Sequence, residues 1–252
     1  MKNYFAHLNR IEFMVTMACT GHCKHCSEGD HSSNGEHIDA DTAVNAIHEL
    51  CKNYKIESLM TFGGEPLLYP KVVSKIHSAA EEMNIPKRQL ITNGFFSKDV
   101  NRINEVAHLL AISGVNDILL SVDAFHQETI PLDYVMNFAK VIVKEGVAIR
   151  TNPAWLVSAE DNNAYNIRTR EILEQFRLLG LSSSTGNIIF PSGNAIKYLG
   201  EFFNQDTNYV NPYEEDADDI WTLCFSPNGN VLNRNVYRES ILDIMNSYIV
   251  HD

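Results

Sequence analysis

The chain has 252 residues, of which 44% are hydrophobic and 21% are charged, a composition typical of one folded domain with at most a small appendage. The sequence shows neither an apolar run of the ~20 residues that span a bilayer nor a signal-peptide pattern, so we expect a cytoplasmic protein without a membrane partner. Its net charge of −12, from 32 acidic against 20 basic residues, argues against nucleic acid as a partner because phosphate backbones would be repelled.

Strand-like apolar runs alternate with helical patterns through residues 1–200, as in chains that form βα units around a parallel sheet. Six strands are predicted, at Arg10–Thr16, Glu57–Phe62, Gln89–Thr92, Asp117–Val122, Ala148–Asn152 and Gly186–Phe190. The helices between them are predicted at Thr42–Tyr54, Pro70–Met83, Asp99–Ile112, Leu132–Lys144 and Asn163–Leu179. We therefore expect an α/β fold, a partial (β/α)6 TIM-like barrel over residues 1–200, with catalytic loops at the carboxyl ends of its strands.

The composition changes after residue 200, and residues 201–252 are expected to form a C-terminal extension that packs on the barrel. The extension begins with an acidic connection that includes Glu214–Asp219. A hairpin is predicted over Thr222–Val231, because Asn228-Gly229 is a strong turn dipeptide between two apolar runs. A last amphipathic helix is predicted at about Arg238–Tyr248.

Three of the five cysteines, Cys19, Cys23 and Cys26, come directly after the first predicted strand. In a chain without signs of secretion, five cysteines favour metal or redox chemistry over disulfide bonds. Three thiolates on one short loop can bind a soft metal centre, and a [4Fe–4S] cluster with only three cysteine ligands keeps one iron open. The alternative is a structural zinc site whose fourth ligand is a nearby histidine; the candidates are His22, His25 and His31.

A second motif, Gly63-Gly64-Glu65, follows the second predicted strand. The two glycines would let the backbone approach a ligand closely, and the carboxylate beside them can accept hydrogen bonds from an ammonium group. A strand-to-helix turn would also explain these residues in isolation. Their place one strand after the cysteine loop favours a site shared by both motifs.

With these two motifs, the sequence from about Arg10 to Phe190 resembles the radical S-adenosylmethionine (radical SAM) superfamily, whose three-cysteine and Gly-Gly-Glu motifs it matches in order. The resemblance implies a partial (β/α)6 barrel with two cofactors, one [4Fe–4S] cluster and S-adenosylmethionine (SAM). It also implies that an external electron donor such as flavodoxin or ferredoxin drives reductive cleavage of SAM to a radical that abstracts hydrogen from the substrate.

By motif match, Gly63, Gly64 and Glu65 are expected to hold the SAM ammonium group, and His25 to pack near adenine. Weaker similarities at later strand ends add candidate SAM contacts at Asn93, Ser121, Asp123, Arg150 and Asn152. Asp123 suits the ribose diol, with a helix cap as the alternative. Arg150 would pair with the SAM carboxylate if it faces inward, and would face helices or solvent if it does not.

Two further residues are noted beside this set. His126 is a candidate for contact with SAM or substrate. Asn194 stands in a stretch where many members of the family have an arginine, so the anion contact expected of that arginine is in doubt.

The C-terminal segment resembles the end of a SPASM or twitch extension in its strand, turn and helix, but not in its cysteines. Only Cys51 and Cys224 remain, and two thiolates cannot supply a four-cysteine cluster, so we predict one cluster per chain. Cys51 lies on the apolar side of a predicted helix and is expected in the core. Cys224 points away from the face of Leu223 and Phe225; it is either a buried structural thiol or a hydrogen-atom donor of the kind radical SAM epimerases use.

The resemblance implies an enzyme, an oxidoreductase or isomerase that modifies a peptide or a small natural product by hydrogen abstraction. Epimerisation with Cys224 as the catalytic hydrogen donor is the most specific hypothesis. Radical cross-linking or dehydrogenation, which needs no donor, is a close alternative, and activation of a partner protein as a glycyl-radical activase is another. From a different class comes a zinc-stabilised binding module without chemistry.

Overall fold

A computed structural model describes residues 3–29, 31, 35–204, 207, 209 and 211–250. The strands are β1 Arg10–Thr16, β2 Ser58–Gly63, β3 Lys87–Thr92, β4 Asp117–Leu120, β5 Ile149–Thr151, β6 Ala154–Trp155, β7 Asn187–Ile188, β8 Thr222–Phe225, β9 Asn230–Val231 and β10 Arg234–Asn235. The helices are α1 Ala40–Asn53, α2 Pro70–Glu82, α3 Val100–Ile112, α4 Ala124–Gln127, α5 Leu132–Lys144, α6 Ala164–Leu178, α7 Gly193–Leu199 and α8 Ile241–Asn246. Short 3-10 helices lie at Pro66–Leu68 and Gly200–Phe202.

Six parallel strands form the main sheet, in the order β5-β4-β3-β2-β1-β8. Helices α1, α2, α3 and α5 lie between successive strands of this sheet, as parallel pairing requires. The expected α/β fold with a six-stranded parallel sheet is thus confirmed. Within the described residues the sheet stays open, with β5 and β8 at its edges.

The sixth strand of this sheet is not the one that the sequence predicts. The run at Gly186–Phe190 yields only the short strand β7, which pairs with β6 in a separate two-stranded sheet. The β7 residues are exposed, so burial does not draw this run into the main sheet. In β8, by contrast, Leu223 and Phe225 are fully buried, and that strand takes the place beside β1.

Of the hairpin predicted over Thr222–Val231, the turn is present, with Ser226 N donating to Asn230 O (2.9 Å), but β8 and β9 form no ladder in the described residues. Gly229 does form a turn, in which its N–H donates to Ser226 O (2.9 Å). However, β8 forms its ladder with β1, and the hairpin is made by β9 and β10 around Leu232 and Asn233, both of which have positive φ. The hairpin and the helix α8 that follows it are present, and the proposed boundary at residue 200 stays a prediction.

The outer face of the sheet is apolar and covered by helices. Ile11 and Phe13 of β1 are fully buried in one core with Leu223 and Phe225 of β8, together with residues of α1, α2 and α8. The Phe13 and Phe225 rings stack with centroids 4.8 Å apart. The C-terminal strand therefore shares the core of β1 and is an integral part of the sheet.

The opposite face, here named the inner face, carries the alternate residues of each strand and is polar. Arg10 Nε donates to Glu12 Oε1 (2.5 Å), and Arg10 Nη1 donates to Gln89 Oε1 (3.1 Å). Gln89 Nε2 in turn donates to Asp117 Oδ2 (2.7 Å), and Asp117 pairs with Arg150. A chain of hydrogen bonds thus crosses the inner face from β1 to β5. Separately, no helix in the described part of the chain has the length and apolar character needed to cross a bilayer.

Candidate active site

The cysteine loop, residues 17–29, leaves the carboxyl end of β1 with all three expected metal ligands. Cys23 is buried, and Cys19 and Cys26 are half-buried. Burial raises the pKa of Cys19 to about 11, and the negative charges of Glu65 and Cys26 act in the same direction. A bound metal cation offsets this cost of ionising neighbouring thiols. Three thiol donors on one loop fit a [4Fe–4S] cluster that has one iron without a protein ligand.

The Gly-Gly-Glu turn packs directly against the cysteine loop. Gly64 N donates to Thr16 O (2.7 Å), and Glu65 N donates to Ala18 O (2.8 Å). A Cβ atom on Gly63 would lie 2.4 Å from Thr16 O, and one on Gly64 would lie 2.2 Å from Ala18 O, so a side chain is excluded at both positions. The close backbone approach that we expected for a ligand is made instead with the loop that carries the cysteines.

The Glu65 carboxylate differs from its expected role as a partner of the SAM ammonium group. It is fully buried and accepts hydrogen bonds from Leu67 N (2.8 Å), Thr92 Oγ1 (2.7 Å) and Asn93 N (2.9 Å). Burial raises the pKa of Glu65 to about 7, and the three donors partly oppose this rise. The side chain thus joins β3 to the turn after β2, while ammonium binding by this motif stays a prediction.

Two asparagines hold the cysteine loop from other elements. Asn93 Nδ2 donates to Thr20 Oγ1 (3.1 Å). Asn194 N donates to Cys26 O (2.9 Å), and its Nδ2 donates to Cys23 O (3.3 Å). This role of Asn194 is not predictable from the sequence pattern, in which the available signal is that Asn194 stands where the family has an arginine.

Asp123 adopts the alternative role of helix cap. Its carboxylate is fully buried and accepts hydrogen bonds from His126 N (2.9 Å), His126 Nδ1 (2.8 Å) and Ala154 N (3.0 Å). Burial by itself would raise the pKa of Asp123, but the charge and the hydrogen bonds of His126 outweigh it and hold the pKa below its usual range. The carboxylate is therefore turned toward His126 and the backbone, and ribose binding by Asp123 stays a prediction.

His25 lies beside this pair. Its ring centroid is 5.1 Å from that of Phe125 and 4.7 Å from that of His126. Burial lowers the pKa of His25 to about 4, so the ring is neutral at physiological pH. An aromatic wall of this kind agrees with the expectation that His25 packs near adenine, which stays a prediction.

The remaining expected SAM contacts are spread along the strand ends. Ser121 is half-buried at the end of β4, and Asn152 Oδ1 accepts from Ser184 Oγ (2.6 Å) after β5. Arg150 faces inward, but its guanidinium group bonds to Asp117, the first residue of β4, at the edge opposite the cysteine loop. The structure does not bring Arg150 to the cysteine loop, and SAM binding by these three residues stays a prediction.

Cys224 lies on the inner face, opposite Glu12 in the ladder of β8 with β1. Its side chain is exposed, so it is not the buried structural thiol of the first alternative. Neighbouring protein atoms nevertheless limit the hydration of a thiolate at this position and raise the pKa of Cys224 to about 12, and the carboxylates of Glu12 and Glu28 add to the rise. Glu28 belongs to the cysteine loop, so a carboxylate of that loop contributes to the raised pKa of Cys224. Cys51, as expected, packs half-buried against the outer core.

Comparisons with known proteins decide the family. The radical SAM superfamily matches residues 13–150, more than half of the chain. The chain belongs to the radical SAM superfamily. A curated relative, the probable GTP 3′,8-cyclase of Saccharolobus islandicus, is 29% identical over 181 residues, which cover 71% of this chain and 54% of the relative. A probable GTP 3′,8-cyclase of Methanocaldococcus jannaschii is 25% identical over 129 residues, 51% of this chain and 41% of the relative.

Two solved structures share the fold. SuiB of Streptococcus suis bound to its precursor peptide SuiA has a TM-score of 0.60 at 14% identity, over 98% of this chain and 65% of SuiB. The enzyme anSMEcpe with bound AdoMet and the Cp18Cys peptide also has a TM-score of 0.60, at 12% identity, over 97% of this chain and 84% of anSMEcpe. At these identities the likeness concerns the fold alone.

Membership of the superfamily confirms that the chain is an enzyme whose cofactors are SAM and an iron–sulfur cluster. The zinc-stabilised binding module is therefore wrong as an account of what the protein is. The chain spans about half the length of the curated relatives that it matches. Their activity as cyclases is a property of longer proteins.

Proposed function

We propose that this enzyme binds one [4Fe–4S] cluster through Cys19, Cys23 and Cys26, and acts on a peptide or a small natural product. When bound, the cluster and SAM supply a radical that removes a hydrogen atom from the substrate. The chain's own residues position this chemistry. Gly64 and Glu65 hold the start of the cysteine loop through their N–H groups, and Asn194 holds its end.

Within this activity, we propose epimerisation with Cys224 as the hydrogen donor. The observation that carries it is the exposed thiol of Cys224 on the inner face, opposite Glu12 of β1, the strand that leads into the cysteine loop. A donor must keep its proton, and a pKa of about 12 keeps Cys224 in the S–H form at physiological pH. A thiol buried on the outer face could not act as a donor, because it would face the core and not the substrate.

The hydrogen balance of this reaction is simple. The substrate carbon first loses hydrogen from one side, and Cys224 then gives its S–H hydrogen to the opposite side. One S–H bond breaks and one C–H bond forms, so the sulfur is left one electron and one proton short of a thiol. An external one-electron donor of the flavodoxin or ferredoxin type, together with a solvent proton, restores it.

The fold neighbours support a peptide as the substrate class, since SuiB and anSMEcpe both hold peptides in their structures. The inner face itself offers paired charges of both signs, from Arg10 and Glu12 at one side to Asp117 and Arg150 at the other. Such pairs can exchange hydrogen bonds with the amide groups of a peptide backbone.

The first test counts the cluster. Protein reconstituted without oxygen should contain about four iron atoms per chain and release 5′-deoxyadenosine from SAM under dithionite. Cys23→Ala should lose both properties, because the cluster loses a ligand. The matched control Cys51→Ala should keep both. About eight iron atoms, or zinc in place of iron, would contradict the single-cluster assignment.

The second test uses SAM alone in D2O, where the Cys224 thiol exchanges to S–D. If Cys224 faces the reacting space, 5′-deoxyadenosine formed without substrate should gain deuterium, because an S–D bond is weaker than the C–D bond that replaces it. Cys224→Ala should release 5′-deoxyadenosine with severalfold less deuterium, and Cys51→Ala should match the wild type. Equal labelling in Cys224→Ala would remove Cys224 from the mechanism.

Cross-linking or dehydrogenation remains the second candidate, since neither reaction needs a donor. An accepted substrate distinguishes the two in D2O. Solvent deuterium at an inverted product carbon supports epimerisation, and a product that has lost two hydrogens without label supports the alternative.

A further inference from the structure

A compact group of potential metal ligands joins the cysteine loop to the turn after β4. One ligand atom each from Cys23, His25 and His126 lie within 4.8 Å of one another. Cys23 is buried, and both histidines are half-buried. The spacing suits direct contact of all three with a single ion, whereas a cluster keeps its ligand atoms farther apart. Cys19 and Cys26 are not members of this group.

The His126 ring is already oriented for this purpose. Its Nδ1 is 2.8 Å from Asp123 Oδ2, so an N–H at Nδ1 donates to the carboxylate, and the tautomer that binds a metal carries its lone pair at Nε2. The carboxylate is fully buried and is fixed by two further backbone donors. A carboxylate behind a metal-binding imidazole is a recurrent arrangement, because it sets the tautomer and raises the basicity of the ring.

An independent observation concerns His25. Its Nδ1 is buried and has no hydrogen-bond partner within the part of the chain that the structure describes. A buried ring nitrogen without a partner is costly, and the cost is removed when the nitrogen binds a ligand. The ring of His126 lies 4.7 Å away, and one ligand atom of each ring lies within 4.8 Å of the other and of the Cys23 thiol.

We propose that the cluster-free protein binds one divalent ion of the zinc class at Cys23, His25 and His126, with Asp123 supporting His126. One thiolate and two imidazoles suit Zn2+ or Co2+ and not the oxygen-preferring Mg2+ or Ca2+. On binding, the Cys23 thiol releases its proton to solvent, and one metal–sulfur and two metal–nitrogen bonds replace bonds from the ion to water. One water stays as the fourth ligand, and no electron is transferred. Since Cys23 is also a cluster ligand in the proposed function, the single ion and the cluster exclude each other, and zinc delays cluster assembly.

The test is a Co2+ titration of the full-length, cluster-free chain without oxygen. We expect one Co2+ per chain, with a sulfur-to-cobalt charge-transfer absorption and the visible bands of a four-coordinate ion, both removed by an equimolar amount of Zn2+. His126→Ala and His25→Ala should each weaken Co2+ binding at least tenfold. Asp123→Asn should weaken it about tenfold through loss of support for His126.

Cys19→Ala is the control that separates the two metal sites. It removes a cluster ligand but none of the three proposed here, so Co2+ affinity should change less than twofold while iron incorporation fails. Loss of Co2+ binding in Cys19→Ala, or its retention in both histidine variants, would overturn the proposal. The Nδ1 of His25 has no hydrogen-bond partner among the described residues, so His25→Ala breaks no hydrogen bond of that atom. A folded His25→Ala variant, checked by circular dichroism, therefore tests the proposal even if His126→Ala unfolds.

Competition gives a second readout that does not depend on turnover. Zn2+ added before iron and sulfide should slow cluster formation in the wild type and have severalfold less effect in His25→Ala. If the protein builds a cluster but never binds Co2+, this proposal fails and the proposed function stands. If Co2+ binds as expected but no cluster forms, the proposed function fails instead.

Discussion

The two cysteine-bearing regions of the inner side, the cysteine loop and the strand β8, are built in different ways. The cysteine loop is held by backbone donors from Gly64 and Glu65 and by Asn194 from across the fold. Strand β8 is held at one edge only, by its ladder with β1, and by burial of its outer-facing residues. Hydrogen bonds from several elements therefore fix the loop that carries the cluster ligands, whereas the position of Cys224 depends on the β1–β8 ladder and on the packing of its neighbours in the strand.

The largest effect should come from crowding the contact between the two motifs. In Gly64→Ala, the new Cβ would lie 2.2 Å from Ala18 O, so the backbone must shift. We expect a loss of about 3 kcal/mol in the free energy of unfolding and a matching loss of iron content. Gly200→Ala, where a Cβ meets nothing within 4 Å, should cost little in either measurement. Normal cluster content in Gly64→Ala would show that the loop does not depend on this contact.

The second-largest effect concerns how folding stability depends on pH through a buried histidine that packs under the sheet. His77 on α2 is fully buried with its Nε2 2.9 Å from Thr61 Oγ1, and burial lowers the pKa of His77 to about 3. Below pH 6.5 the unfolded chain takes up a proton that the folded chain refuses, so stability falls as pH falls from 6.5 toward 3.

Between pH 7.5 and 5 this histidine should account for about 2 kcal/mol of lost stability. Denaturant unfolding of His77→Gln should lose correspondingly less over the same interval. The same substitution at exposed His108 should leave the wild-type dependence in place. An unchanged pH dependence in His77→Gln would mean that the ring accepts its proton in the folded protein.

The smallest effect tests the placement of β8. Phe13 and Phe225 stack across the ladder of β1 and β8, so a double-mutant cycle with Phe13→Leu and Phe225→Leu should give a coupling of about 1 kcal/mol. Replacing Phe225 together with Phe138, which belongs to the other large core, should give no coupling. Independent Phe13 and Phe225 effects would place β8 elsewhere and remove the argument for Cys224.

Much of the fold could be predicted from local patterns. The observed bounds of β1 and α5 match the apolar alternation of Arg10–Thr16 and the helical periodicity of Leu132–Lys144. Each segment buries one face, and the spacing of its apolar residues shows which face that is. The partner of Thr222–Phe225 could not be found in this way. An apolar run next to an Asn-Gly turn predicts a hairpin, and only tertiary packing under α1 and α8 selects β1 as the partner.

In the candidate site too, the features that depend on local sequence could be predicted and those that depend on tertiary contacts could not. Sequence spacing identified the three cysteines, since metal ligands from one loop are close in sequence. It could not distinguish a ligand-binding Asp123 from a helix cap, because both roles use the same carboxylate and differ only in its direction. The partners of Glu65 come from β3, 27 and 28 residues away, and no local pattern reports such contacts.

The pairing of β1 with β8 also orders events during synthesis. His7 and Asp219, which bond beside this ladder, are 212 residues apart in the chain. Strand β1 thus gains its second neighbour only after β8 has been made, and the cysteines that follow β1 wait beside an open sheet edge until residues 222–225 have been translated. Until then, the outer side of Phe13 lacks its aromatic partner, and β1 is exposed to pairing with other chains.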